Sequence, residues 1–271
     1  MYKKQKISLN IMIGAVVLSF TVLGCEVKTA PAAKIEAVAN PQPAPQSRLM
    51  SWRVATAYLE DIFAQIPDSS IDDFRKDTPA EERRLINASH GETGLKDDNA
   101  HVYGEPAPLT SDLMLKGLGA GADDVIYDLG CGRGFFLMQA LMTTPIRKAV
   151  GVELSASRVN IGKQARQMLL DQGLLIPGKE LELREQDMAK TNMDDATLVY
   201  MDSVFYSDDL LNTVIRTMAR ARNMRTVVMI QKGLPANPWF ELDRTERLKM
   251  SWSPRFGTDV MFYKRTAVPA E

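Results

Sequence analysis

Apolar positions along this chain change their period from segment to segment, and each change predicts a different kind of element. Residues 7–24 are apolar without a single charge and follow Lys3, Lys4 and Lys6. Residues 26–47 carry Pro31, Pro41, Pro43 and Pro45, six alanines and no aromatic side chain. Such a stretch has no hydrophobic face to bury and is expected to be a tether. Helical spacing sets in near Arg48. Val54, Tyr58, Ile62 and Ile66, with Ala55, Leu59 and Phe63 beside them, predict one apolar helix face that Pro67 stops. Thr78-Pro79-Ala80-Glu81 signals a second helix start, with a capping residue, a proline at the first helical position and an acid able to reach back. Both helices are expected to be packing elements. Residues 87–109, rich in Gly, Asp, His and Pro, predict a long loop of the kind that carries function in compact domains.

From residue 111 onward, strand and helix patterns alternate. A helix is expected near 111–118, strands at 124–127, 149–152, 181–184, 197–201 and 226–230, and helices from 135, over 157–170 and about 210–222. The short strands are continuous apolar runs, which suits a parallel sheet covered on both faces. Residues 240–263 lack helical spacing and predict a closing antiparallel hairpin. The organisation read from this pattern is an anchor segment at 1–25, a tether at 26–47, a helical preface and loop at 48–100, and an α/β domain at 101–271.

Composition adds exclusions. The 271 residues are 45% hydrophobic and 25% charged, with 33 Lys and Arg against 34 Asp and Glu, so no overall basic excess is available to hold a nucleic-acid backbone. Two cysteines, Cys25 and Cys131, cannot build a disulfide scaffold, and His90 and His101 are too few for a Cys/His zinc cluster; no metal is expected. No G-x-S-x-G elbow is present for a serine hydrolase.

The densest motif is Val125-Ile126-Tyr127-Asp128-Leu129-Gly130-Cys131-Gly132-Arg133-Gly134, a strand running into a glycine turn that opens a helix. Ligands of such sheets sit at the carboxyl ends of the strands, and glycine lets a ligand approach the main chain closely. A dinucleotide site wants a third glycine where Phe135 stands. Cys131 lies inside the turn, where a small residue is wanted for packing, and is read as structural. His101 is read as a solvated loop residue.

The turn, followed by Gly151-Val152-Glu153-Leu154 at the end of the next strand, resembles class I S-adenosylmethionine-dependent methyltransferases. That resemblance implies a Rossmann-like, mostly parallel seven-stranded sheet with helices on both faces. It implies S-adenosyl-L-methionine as cofactor, held by Asp128, Gly130, Gly132 and Gly134, with Glu153 on the ribose hydroxyls, Asp187 on the adenine amino group and Met188 against the ring. A carboxylate such as Glu153 suits a vicinal diol because it accepts two hydrogen bonds at once. A narrower resemblance, over roughly residues 100–265, is to the non-SET histone-lysine methyltransferases, the disruptor-of-telomeric-silencing family. Val102-Tyr103-Gly104-Glu105 and Thr110-Ser111-Asp112-Leu113 resemble its loop over the methionine end of the cofactor, which implies cofactor contacts for Tyr103, Glu105 and Thr110. Asp202-Ser203-Val204-Phe205 stands where that family has an Asn-Asn-Phe type motif, and Met250-Ser251-Trp252-Ser253 resembles its last hairpin. Tyr103, Asp202, Phe205 and Trp252 are therefore the candidate catalytic residues, with aromatic walls suited to a lysine stem. Asp202 and Ser203 depart from the family's asparagines, and the tail has no basic extension. The expected acceptor is an amine, a protein lysine first. A small-molecule methyltransferase and a non-catalytic binding module on the same fold are the alternatives.

The amino terminus points elsewhere. Val22-Leu23-Gly24-Cys25 resembles the lipobox of bacterial lipoproteins, which implies membrane attachment in the cell envelope through a lipid on Cys25. An uncleaved membrane helix is the alternative, since about 18 apolar residues reach across a bilayer. Cleavage before Cys25 would remove three of the 33 basic residues and no acid, leaving 30 against 34 and a net charge of −4. That acidity argues further against a nucleic-acid partner.

Overall fold

A computed structural model describes residues 48–70, 78–90 and 103–268. The signal, lipid-attachment and tether readings at 1–47 and the reading of His101 lie outside the described residues. Among the described residues no helix is long and apolar enough to cross a membrane.

The elements are α1 (Trp52–Ala64), α2 (Ala80–His90), α3 (Pro108–Gly117), β1 (Val125–Leu129), α4 (Phe135–Thr143), β2 (Lys148–Glu153), α5 (Ala156–Asp171), β3 (Glu180–Glu185), β4 (Leu198–Met201), α6 (Asp208–Arg220), β5 (Thr226–Ile230), β6 (Phe240–Met250) and β7 (Ser253–Arg265), with a 3-10 turn at Met188–Lys190. The sheet order is β3-β2-β1-β4-β5-β7-β6. β1 to β5 are parallel, and β7 joins β5 antiparallel and closes the expected hairpin with β6. This is the expected Rossmann-like, seven-stranded class I methyltransferase sheet.

Strand position explains strand sequence. The central strands read VIYDL, LVYM and TVVMI and are almost wholly buried, whereas the edges read ELELRE and FELDRTERLKM. Charged edges discourage pairing with another chain, and continuous apolar strands are what a doubly covered sheet requires. Successive residues divide between two cores. Ile126, Leu198, Tyr200, Val228 and Ile230 face α1, α3, α4 and α5. Tyr127, Val199, Met201, Val227 and Met229 face α6.

The helices follow the same logic. α6 begins at Ser207, whose hydroxyl accepts from Leu210 N, carries Asp208 and Asp209 in its first turn and Arg220 in its last, and buries one stripe from Leu210 to Ala219. These charges match the helix dipole. α4 is buried on all sides from Phe135 to Met142 because the sheet lies on one side and α1 and α3 lie on the other. On α1 the buried face is Ala55, Leu59, Ile62 and Phe63, with Ile66 just beyond; Val54 and Tyr58, expected on that face, are exposed because only one side of the helix meets α4.

Both ends of the expected loop at 87–109 are helical, and residues 91–102 lie outside the described residues. α2 continues through Asn87 to His90, and α3 starts at Pro108, where a fixed φ and a missing N–H suit the first turn. α5 lies close to the glycine turn because Gly162 has no side chain: a Cβ there would sit 2.7 Å from the Arg133 carbonyl oxygen. Gly162→Ala is therefore expected to destabilise the protein by about 1–3 kcal/mol. A denaturant titration with an unchanged midpoint would refute this packing argument.

Candidate functional site

β1 ends in a turn whose first two amides, Gly130 N and Cys131 N, donate to Val152 O of β2 at 2.8 and 3.1 Å. That pairing clamps the turn to the neighbouring strand. Gly132 has φ +55°, and a Cβ there would overlap the Tyr103 ring, so both conformation and space require glycine. Cys131 is buried with its thiol pushed well up, first by burial and then by the nearby Asp128, which agrees with its structural reading.

Glu153, the last residue of β2, is 6% exposed. Its Oε2 accepts from Gly132 N and its Oε1 from Ser155 N, both at 2.9 Å, with Arg158 Nη1 3.9 Å away. A carboxylate has about four acceptor positions, so two stay available to a ligand.

The loop Tyr103–Pro106 is held against this turn by a buried arginine. Arg133 donates from Nε and Nη2 to the two oxygens of Glu105 at 2.8 and 2.9 Å, and from Nη1 to Ser69 O at 2.7 Å. Its guanidinium lies over the Phe63 ring at 4.2 Å. The Tyr103 hydroxyl donates to Glu105 and accepts from Arg133 N. On its other side the loop meets the hairpin: Ser251 N donates to Glu105 O at 3.1 Å, and Trp252 lies over Gly104 so closely that a Cβ would touch its ring at 2.5 Å.

These elements enclose a cavity of about 550 Å³ at the carboxyl ends of β1, β2 and β4. Tyr103, Gly130, Glu153, Met188, Asp202, Phe205 and Trp252, all singled out in the sequence, line it. The other singled-out residues stand outside its wall. Glu105 is engaged by Arg133. Gly132 lies beneath Tyr103. Asp128 is buried with Oδ1 unpartnered among the described residues, and burial followed by Glu153 and Asp202 holds its carboxyl well above the ordinary range. Gly134 starts α4 under Leu183, and the Thr110 hydroxyl donates to Lys249 O at 2.5 Å. Asp187 caps the 3-10 turn by accepting from Ala189 N at 2.9 Å.

Sequence reasoning missed Ile86, Gln186, Val204, Tyr206 and Gln231 as wall residues. Gln186 and Tyr206 adjoin motifs already noticed. Nothing local marked Ile86, which reaches the site because Glu82 of α2 accepts from Ser157 N at 3.1 Å, from Ser157 Oγ at 2.8 Å and from Ser155 Oγ at the amino end of α5. α2 is thus part of the roof, beyond the packing role expected of it. Ser203 is structural, with its hydroxyl bridging Ile230 O and Lys232 O. Among the described residues no cluster of His, Cys, Asp and Glu could hold a metal.

This strand order and glycine turn define a class I methyltransferase architecture. Residues 93–235 match the family described as "Histone methylation protein DOT1", and the chain belongs to that family. It is also similar to a protein-lysine N-methyltransferase of Saccharolobus islandicus (strain REY15A), 41% identical over 46 residues, which is 17% of this chain and 29% of that protein. The match therefore spans under a third of the relative's length. Two solved structures are also similar to it. An RNA methyltransferase from Salinibacter ruber in complex with S-adenosyl-L-homocysteine is 22% identical with TM-score 0.46, over 61% of this chain and 96% of that one. A geranyl diphosphate C-methyltransferase from Streptomyces coelicolor A3(2) is 16% identical with TM-score 0.46, over 70% and 100%.

Two outcomes test the geometry. Arg133→Met leaves the Glu105 carboxylate buried without its cation and is expected to destabilise the protein by about 3–5 kcal/mol, read by chemical denaturation. Glu82→Ala should leave the global midpoint within about 1 kcal/mol while raising amide hydrogen exchange in 80–90, since only α2 loses its latch. Unchanged exchange in α2 would show that Glu82 does not hold it.

Proposed function

We propose that this chain is an S-adenosyl-L-methionine-dependent methyltransferase acting on an amine, a protein lysine first. The observation that carries the reading is Glu153: a buried carboxylate at the end of β2, aligned by two backbone amides and keeping acceptor positions free toward the cavity. A vicinal diol is the ligand group that uses those positions best. The site fits the rest of the cofactor as well. Gly130 permits close approach to the main chain, Met188 and Ile86 supply apolar surface for a flat ring, and Asp187 at the neighbouring turn is assigned the adenine amino group. Asp128 Oδ1, unpartnered among the described residues, is assigned to the methionine end beside Tyr103.

The cofactor supplies a methyl group already made electrophilic by a positively charged sulfur. The protein's part is to align an acceptor and exclude water. Tyr103, Phe205 and Trp252 give the cavity aromatic walls that suit an alkyl stem ending in a cation. The family and the short stretch shared with a protein-lysine N-methyltransferase support lysine as the acceptor. A small metabolite amine is the alternative that acceptor assays must separate from it.

Calorimetric titration of the full chain with S-adenosyl-L-methionine should show one site, and Glu153→Ala should weaken it at least about 100-fold by removing two charge-assisted hydrogen bonds. A folded protein with no heat of binding would overturn the cofactor reading, and unchanged affinity in Glu153→Ala would overturn the role of that residue. Attachment to the bacterial envelope through Cys25 is part of the same proposal. It rests on the apolar run and Cys25 alone; a carboxyl-terminal reporter active only outside the cytoplasm should report export.

A further inference from the structure

We infer that Asp202 is a general base that takes a proton from an acceptor arriving as an ammonium ion, so that this site methylates charged primary amines without requiring them to arrive neutral. The inference rests on the methyltransferase reading above and adds a role to one of its residues.

Geometry carries it. Asp202 follows β4, beside Val204 and Phe205 in the cavity wall, and its Oδ1 is buried with no hydrogen-bond partner among the described residues. An unpartnered buried carboxylate oxygen is costly, and it is retained where a ligand or a proton completes it. Among the described residues every other acid or phenol near the cavity is committed or set back from it. Glu153 holds two backbone amides, and Glu105 holds Arg133 and the Tyr103 hydroxyl. The Tyr206 hydroxyl donates to Leu129 O at 2.7 Å. Asp128 lies behind the wall on β1, and Tyr200, within β4, is buried in the core. Of the cations, Arg133 is bound to Glu105, Lys232 is paired with Asp208 at 2.8 Å, and Arg158 sits between Glu153 and Tyr103. None of these forms an ion pair with Asp202, which leaves that place to a cation from outside.

The chemistry needs such a group. With a pKa near 10.4, about one lysine amine in a few thousand is neutral at pH 7, and only the neutral nitrogen has a lone pair to donate. Burial, opposed by the backbone hydrogen bond from Val204, pushes the Asp202 carboxyl up to about 7, which matches a base to neutral conditions. In the step proposed, an ammonium N–H bond breaks and its proton forms the O–H of Asp202. The nitrogen lone pair then forms the new N–C bond to the methyl group as the C–S bond breaks, with that electron pair staying on sulfur. Positive charge passes from sulfur to the methylated nitrogen, and the Asp202 proton returns to solvent before the next turnover. An asparagine at this position could hold an amine but could not take its proton.

The sign of the pH dependence follows. Asp202 works as carboxylate, so its contribution is present above about pH 7 and is lost below it. The test uses the full chain with S-adenosyl-L-homocysteine and n-pentylamine as a lysine side-chain probe, and reads protonated carboxyl by infrared difference between wild type and Asp202→Asn. The proposal expects a band that titrates near pH 7 and shifts to lower pH when pentylammonium binds, because an opposite charge favours the ionised form. A band titrating in the ordinary carboxylate range, or one indifferent to the amine, overturns it. Thermal melting of Asp202→Asn controls for folding. With a lysine-containing peptide as acceptor, kcat/KM should rise tenfold per pH unit and level off near pH 7 in the wild type, while Asp202→Asn should keep rising toward pH 10. A wild type that also keeps rising refutes the base while leaving the methyltransferase reading intact. Loss of cofactor binding in the calorimetric titration is the separate failure of that reading.

Discussion

The Arg133 guanidinium is the interaction on which the site's assembly depends. It is buried, it comes from the glycine turn itself, and it binds Glu105 with both forks, Ser69 O with a third N–H and the Phe63 ring with its face. Three segments far apart in sequence are tied by one side chain: the end of the α1 region, the loop carrying Tyr103, and the turn after β1. A buried charge pair of this kind adds little net stability compared with apolar packing, yet losing one partner is severe. Its value here is positional, since it sets Tyr103 over Gly132 and thereby shapes one wall of the cavity.

A second set of polar contacts does the same on the opposite side. Glu153 aligns the turn through Gly132 N and the start of α5 through Ser155 N, and Ser155 in turn binds Glu82 of α2. An anion at the start of α5 is favoured by the helix dipole, so Glu82 is well placed to draw α2 over the cavity. Roof and cavity-facing acid are thus parts of one hydrogen-bonded chain. A change in α2 would be felt first at the β2–α5 turn.

Glu153 and Asp202 are the acids in the cavity wall, with Arg158 beside Glu153, and their proximity helps raise the carboxyl of Asp128 behind that wall. A pocket of this charge suits cationic ligands. Both a sulfonium and an amine fit that description, and a phosphate backbone does not.

Much of the fold was legible because its signals are local. Continuous apolar strands, the helix start at Thr78-Pro79 and the turn from Leu129 to Gly134 are set by residues close in sequence. The acids at strand ends, Glu153 and Asp202, were legible as well, because strand and turn together dictate which residue emerges at the carboxyl edge. The assignment of Val54 and Tyr58 to a buried face failed because spacing gives a stripe but not the width of the surface it meets. The roof was not legible. Ile86 reaches the cavity, and Asp187 and Thr110 fall outside its wall, only because Glu82, Ala189 N and Lys249 O stand where they do. The sequence by itself determined the sheet, its order of elements and the chemistry available at its edge. Tertiary structure decided which of those groups face one another, because pairings such as Arg133 with Glu105 and Glu82 with Ser157 join residues 28 and 75 positions apart, beyond the reach of any local pattern.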